Sequence, residues 1–145
     1  MIRVQPDDFD VGAEVVALTK GRTDIGAIAT FTGHVRDDDG LKALILEHYP
    51  AMTEREIARH VAEAEKKWPL LGVTIIHRVG RLLPGAQIVF VGVAASHRRA
   101  AFEACEFLMD YLKAHAPFWK QEECASGTIW VEAKSSDDDA AGRWR

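Results

Sequence analysis

"QIVFVGVAASHRRAAFEACEFLMDYLKAH", residues 87–115, decides the fold. Its first nine residues are apolar and rich in β-branched side chains, the composition of a buried strand. After Ser96 the period changes. Ala101, Cys105, Leu108 and Leu112 recur at spacings of four, three and four, which places them on one helical stripe. Ser96 is the predicted N-cap of that helix and Pro117 its stop. A buried strand running straight into a long amphipathic helix calls for a sheet with helices laid on it.

The flanking sequence fills in that sheet. "MIRVQ" reads as a short strand, and "DVGAEVVALTK" as a helix opened by Asp10. "IGAIATFTGHV" (25–35) and "LKALILEHY" (41–49) read as strands around the polar turn "RDDDG". "MTEREIARHVAEAEKKW" (52–68) is a helix with Ile57, Val61, Ala64 and Trp68 on its apolar face. Thr53 and Glu56 fit a capping box at its start. "GVTIIHRVG" is a strand and "RLLPGA" a turn. "FWKQEE" and "TIWVEA" are two final strands joined around Ser126-Gly127. Some neighbouring strands are joined by short turns, so the expected class is α+β, with a mixed sheet and two long helices. Residues 1–134 read as one catalytic domain, and 135–145 as a polar, loosely held tail.

Composition narrows the function. The chain has 145 residues, 48% hydrophobic and 28% charged, with a formal net charge of −4. That balance argues against a broad nucleic-acid footprint, though not against a local basic pocket. Two cysteines, Cys105 and Cys124, make no disulfide framework and have no zinc spacing. No signal pattern and no membrane-length apolar run is present, so a cytoplasmic protein is expected. "KGRTDIG" has neither the P-loop nor the dinucleotide-binding spacing.

Several residues carry possible chemistry. His97 and Arg98 stand at a helix start, where free N–H groups and the dipole favour an anion; with the arginine fork they read as an anion site. Arg99 reads as solvated. Arg36 alone reads as a solvated strand-end arginine, and Asp37, Asp38 and Asp39 as a solvated turn too tight for an EF-hand. Lys113 lies in the last turn of the long helix, where a cation suits the dipole and Asp110 could pair with it. Lys120 follows Phe118-Trp119 on a strand. Its stem can lie on aromatic surface, and its amine can act as base, nucleophile or oxyanion partner. Pairing with Glu122 or Glu123 is the rival explanation. His60 and His77 read as structural, with no partners spaced for a metal. Cys105 reads as an inert core thiol, while a reactive Cys124 stays open as an alternative.

Taken together, "FTGHVRD", "LEHYPAMTE", "WPLLGVTIIHRVGRLLPG", "IVFVGVAASHRRAAFEA", "MDYLKAHAPFWKQE" and "WVEAKSSD" resemble, in order and spacing, the large, catalytic subunit of molybdopterin synthase, the MoaE family. The resemblance runs from about residue 5 to the C-terminus. It implies an α/β hammerhead-like fold with a small additional β subdomain. It also implies a sulfurtransferase of molybdenum-cofactor biosynthesis that uses no metal or cofactor of its own. Sulfur would pass from the thiocarboxylated C-terminus of a small ubiquitin-like carrier subunit (MoaD-like) to cyclic pyranopterin monophosphate. A homodimer would sit at the centre of a heterotetramer. Carried over by motif, Lys113 and Lys120 are the catalytic residues; Arg36, His97, Arg98 and Lys134 bind substrate. Lys134 stands where the family often has arginine, keeping the charge and losing the fork.

The substrate phosphate and the thioacid are both anionic. Arg36, His97 and Arg98 would suit the first, and Lys113 and Lys120 the second. Arg98 and Lys113 lie fifteen residues apart on one predicted helix, roughly 22 Å. The expectation is therefore a site shared between two protomers. A non-catalytic docking module for a ubiquitin-like tail and a small-molecule anion sensor are the alternative functions.

Overall fold

The computed structural model describes residues 1–38, 40–131 and 135–144, the side chains of Ser135 and Ser136 excepted. Lys134, an expected substrate contact, and Asp39 lie outside the described residues. The elements run β1 (Ile2–Gln5), α1 (Val11–Thr19), β2 (Ala27–His34), β3 (Ala43–His48), α2 (Met52–Lys67), β4 (Leu70–Arg78), β5 (Gly80–Leu82), β6 (Gln87–Ala95), α3 (Arg98–Ala114), β7 (Phe118–Cys124), β8 (Gly127–Val131) and α4 (Ser135–Gly142).

The strands form two four-stranded sheets, in the orders β1-β4-β6-β2 and β5-β3-β7-β8. The first is mixed: β1 pairs parallel with β4, while β4 and β2 pair antiparallel with β6. The second is antiparallel throughout. This is the expected α+β class. "RLLPGA" differs from expectation, because Gly80–Leu82 forms β5 against β3 before the turn at Pro84-Gly85.

Strand β6 is buried almost from end to end, because both of its faces are covered. Val89, Val91 and Val93 pack with Leu108, Ala104 and Ile57 in the main core. Phe90 faces the other way, with Phe9 at a ring-centroid separation of 6.2 Å. Helix α3 turns back from the end of β6 and lies on the valine face, with Cys105 Sγ 4.0 Å from the Val91 carbonyl oxygen. Gly26 permits the close crossing beside this turn. A Cβ there would collide with the Ser96 carbonyl oxygen, while the Gly26 N–H donates to Ala95 at 3.0 Å.

Two helix starts differ from the sequence reading. Helix α2 begins at Ala51, which takes a positive φ of 66° and supplies no side-chain cap. Thr53 is fully buried instead of capping; its hydroxyl accepts from the Tyr49 N–H and donates to the Pro117 carbonyl, each at 3.1 Å. At α3 the N-cap is His97 rather than Ser96. The acidic tail, expected to be loose, forms α4 and packs on α3. Its Trp144 meets Trp68 and Phe107 edge to face, with centroids 5.7 and 5.6 Å away. Among the described residues, no helix is long and apolar enough to cross a membrane.

Candidate active site

Register fixes where each candidate stands. Ala27 of β2 faces Ala95 of β6, and His34 faces Gln87, so β2 spans the length of β6. His97 and Arg98 follow Ala95 and occupy one end of the first sheet. Arg36 follows His34 and occupies the other, roughly 25 Å away by strand rise. Helix α3 carries Lys113 back to the Arg36 end. One chain therefore does not gather Arg36, His97 and Arg98 around a single phosphate. The physical reason is the antiparallel pairing of β2 with β6, which sends the two motifs to opposite ends.

His97 and Arg98 are exposed at the start of α3, and neither side chain has a hydrogen-bond or ion-pair partner among the described residues. Arg99 is engaged, donating to Glu103 at 2.7 Å. An unpaired imidazole and an unpaired guanidinium beside free helix N–H groups fit an oxyanion. Arg36 is 75% exposed and pairs with Asp38 at 2.7 Å, as a solvated strand-end arginine does.

Lys113 lies in the last turn of α3, and Lys120 on β7. Lys113 opens on a groove of about 630 Å³ between α3 and β2, whose walls include Phe31, Phe102, Met109, Glu106 and Asp110. Its charge also reaches His77, a buried residue of β4. His77 stacks on Phe118 with centroids 3.9 Å apart and planes 19° apart. Its Nδ1 hydrogen bonds the Arg78 carbonyl at 2.8 Å. Burial, against the hydrogen bond to the Arg78 carbonyl and with smaller help from the charges of Lys113 and His48, brings its pKa down to about 4. The ring is neutral at ordinary pH, so the positive charge here belongs to the lysines.

Lys120 lies two residues beyond Phe118 on β7, hence on the same face, opposite buried Leu46 of β3 and Val131 of β8. Trp119 points to the other face, against Tyr49 at 4.1 Å. Ion pairing does not account for Lys120. Glu123 pairs with Arg81 at 2.8 Å, and Lys120 forms no ion pair among the described residues. Its ammonium, half-buried on an apolar sheet face, is available to a ligand. Cys105 is buried, and burial pushes its thiol up to about 11, so it is not a nucleophile. Among the described residues, no group of three or more His, Cys, Asp or Glu is arranged to hold a metal ion.

The protein-family model described as "MoaE protein" matches residues 4–115. This chain belongs to the MoaE family. The "Molybdopterin synthase catalytic subunit" of Mesorhizobium japonicum is 56% identical over 147 residues, spanning 99% of this chain and 92% of that one. The "Molybdopterin biosynthesis MoaE protein" of Burkholderia ambifaria has a solved structure that superposes with a TM-score of 0.87 at 55% identity, covering 99% of this chain and 97% of that one. A crystal structure of molybdopterin synthase from Staphylococcus aureus gives a TM-score of 0.81 at 29% identity, over 89% of this chain and 95% of that one.

Sequence reasoning missed two features of this MoaE chain. The first is the partner of His77, which is structural as expected: its buried ring stacks on Phe118, on the strand that carries Lys120. The stack needs Phe118, forty-one residues away, and no local period signals it. The second is the tail. Arg143 pairs with Glu106 and, at 3.2 Å, with Asp110, while Trp144 Nε1 donates to Asp110 at 2.6 Å. The acidic run before it masked a tryptophan able to anchor the segment. On the opposite flank of α3, His60, Glu63, Lys67 and Tyr111 line a smaller cavity of about 330 Å³. His60 stacks on Tyr111 with ring centroids 3.4 Å apart, a structural contact as expected.

Proposed function

We propose that this chain is the catalytic subunit of a molybdopterin synthase, moving sulfur from the thiocarboxylate of a small ubiquitin-like carrier to cyclic pyranopterin monophosphate. The observation that carries the reading is the setting of two ammonium groups, one on α3 and one on β7. Lys113 stands at the groove mouth, and Lys120 lies on an apolar sheet face without an ion-pair partner among the described residues. A thioacid is an anion and needs a cation where water is scarce. Attack of its sulfur on a pterin side-chain carbon forms a C–S bond as an oxygen substituent leaves that carbon; water then cleaves the acyl C–S bond of the resulting thioester, releasing the carrier as a carboxylate and leaving the sulfur on the pterin as a thiol. Lys120 suits the charge developing at that acyl carbon, and Lys113 suits the thiocarboxylate.

His97 and Arg98 suit the substrate phosphate, yet α3 holds them roughly 22–24 Å from Lys113. The pocket is then completed by a second copy, which brings its His97 and Arg98 to the lysines of the first. Each homodimer has two such sites, one carrier for each, and works in the cytoplasm.

Incubation with thiocarboxylated carrier and the pterin precursor tests the reading. Dithiolene formation is expected, and it falls about a hundredfold or more in Lys120→Ala. Tight carrier binding without turnover would leave only a docking module. Mixing Lys120→Ala chains with Arg98→Ala chains tests the sharing: the mixture regains activity above either parent if the site spans two protomers, and stays flat if it does not.

A further inference from the structure

We propose that Arg143 and Trp144 set the charge of the substrate groove by holding Glu106 and Asp110 and offsetting one of their two negative charges. The inference rests on the anionic substrate proposed above. Phe102, Glu106, Met109, Asp110 and Lys113 all line the groove and lie on one flank of α3, three or four residues apart. On that flank Glu106 and Asp110 outnumber Lys113, so by itself it would repel an anion. Arg143 corrects this. Its guanidinium pairs with Glu106 and, at 3.2 Å, with Asp110, while the Trp144 indole N–H takes the same Asp110 oxygen at 2.6 Å.

The correction is held in place. The Trp144 ring is fixed edge to face by Trp68 and Phe107. Arg143 lies over that ring, 4.7 Å from its centroid. The ion pair with Glu106 also raises the pKa of the guanidinium, so its charge is constant. With apolar walls at Phe31, Phe102 and Met109, a flank whose carboxylates are balanced by Arg143 and Lys113 together no longer repels an anionic ligand. Arg143 touches no substrate; it acts through the two carboxylates.

Steady-state kinetics of the intact synthase, varying the pterin monophosphate at low and high salt, tests this. Arg143→Gln is expected to raise KM roughly fivefold at low salt, less at high salt, with kcat within about twofold. Adding Glu106→Gln and Asp110→Asn to that variant is expected to bring KM back to the wild-type value or below it, and Arg143→Lys to stay near wild type. An unchanged KM overturns the proposal. So does a raised KM that the two neutral substitutions fail to restore, since that marks a tail needed only for packing. Wild-type protein without turnover would sink the sulfur-transfer reading alone. The groove is then decided by titration with inorganic pyrophosphate: weaker binding in Arg143→Gln, restored in the triple variant, supports it, and equal binding in all three overturns it.

Discussion

His77 brings an imidazole into the core at 7% exposure, and that has a pH signature. Burial lowers its pKa from 6.5 to about 4 in the folded chain. Between those values the unfolded chain binds the extra proton, so stability rises with pH there. The contribution is complete above pH 6.5 and is lost as pH falls towards 4, roughly 3 kcal/mol in all. The urea midpoint of the wild type should therefore drop across this window, and His77→Phe, which keeps an aromatic ring against Phe118, should flatten the drop. Tyr111 gives the opposite kind of test. Its hydroxyl is buried without a hydrogen-bond partner among the described residues, and burial pushes its pKa up to about 12. Removing an unsatisfied hydroxyl relieves a desolvation cost, so Tyr111→Phe should be neutral or up to about 1 kcal/mol stabilising in urea melts. Lys120 stands out in the sequence as an amine beside Phe118-Trp119, but spacing alone left catalysis and pairing with Glu122 or Glu123 both open. The fate of Glu123 was not legible, because Arg81 is its neighbour only through the pairing of β3 with both β5 and β7.

Among the elements, the junction before α2 stores strain. The Met52 N–H donates to the Pro50 carbonyl at 2.7 Å across Ala51, whose φ of 66° and ψ of −48° make a γ-turn of the rare, positive-φ kind. Glycine adopts that backbone without the Cβ penalty, so Ala51→Gly should stabilise the fold by about 1 kcal/mol, read from the thermal midpoint. The apolar periods of α2 and α3 were readable because burial on one side is all they require. The capping box at Thr53 was not a cap, because the same hydroxyl that suits a helix start also suits the buried gap between Tyr49 and Pro117. That contact ties α2 to the segment leading into β7. Local spacing contains no information about a partner sixty-four residues away.

Across the whole molecule, the mixed α+β class followed from the alternation of periods, but the division into two sheets did not. It depends on β3 pairing with β7 instead of its sequence neighbour β2, a choice made by burial of Leu44 and Leu46. The ends to which the basic motifs go depend likewise on strand direction. The last helix ties distant parts together: Lys67 of α2 lies over the Phe107 ring, 5.6 Å from its centroid, and Trp144 closes over the same ring. Trp144→Ala should cost about 2–3 kcal/mol in chemical denaturation, at the lower end for a large core aromatic because the ring is only half-buried.

The unequal burial of the two cysteines has a practical consequence. A maleimide dye should find Cys124, at the end of β7, and spare Cys105 beneath α3. Mass spectrometry should count one adduct on the native chain and two after unfolding. A fluorophore so placed sits four residues from Lys120, a built-in reporter of whatever settles against that strand.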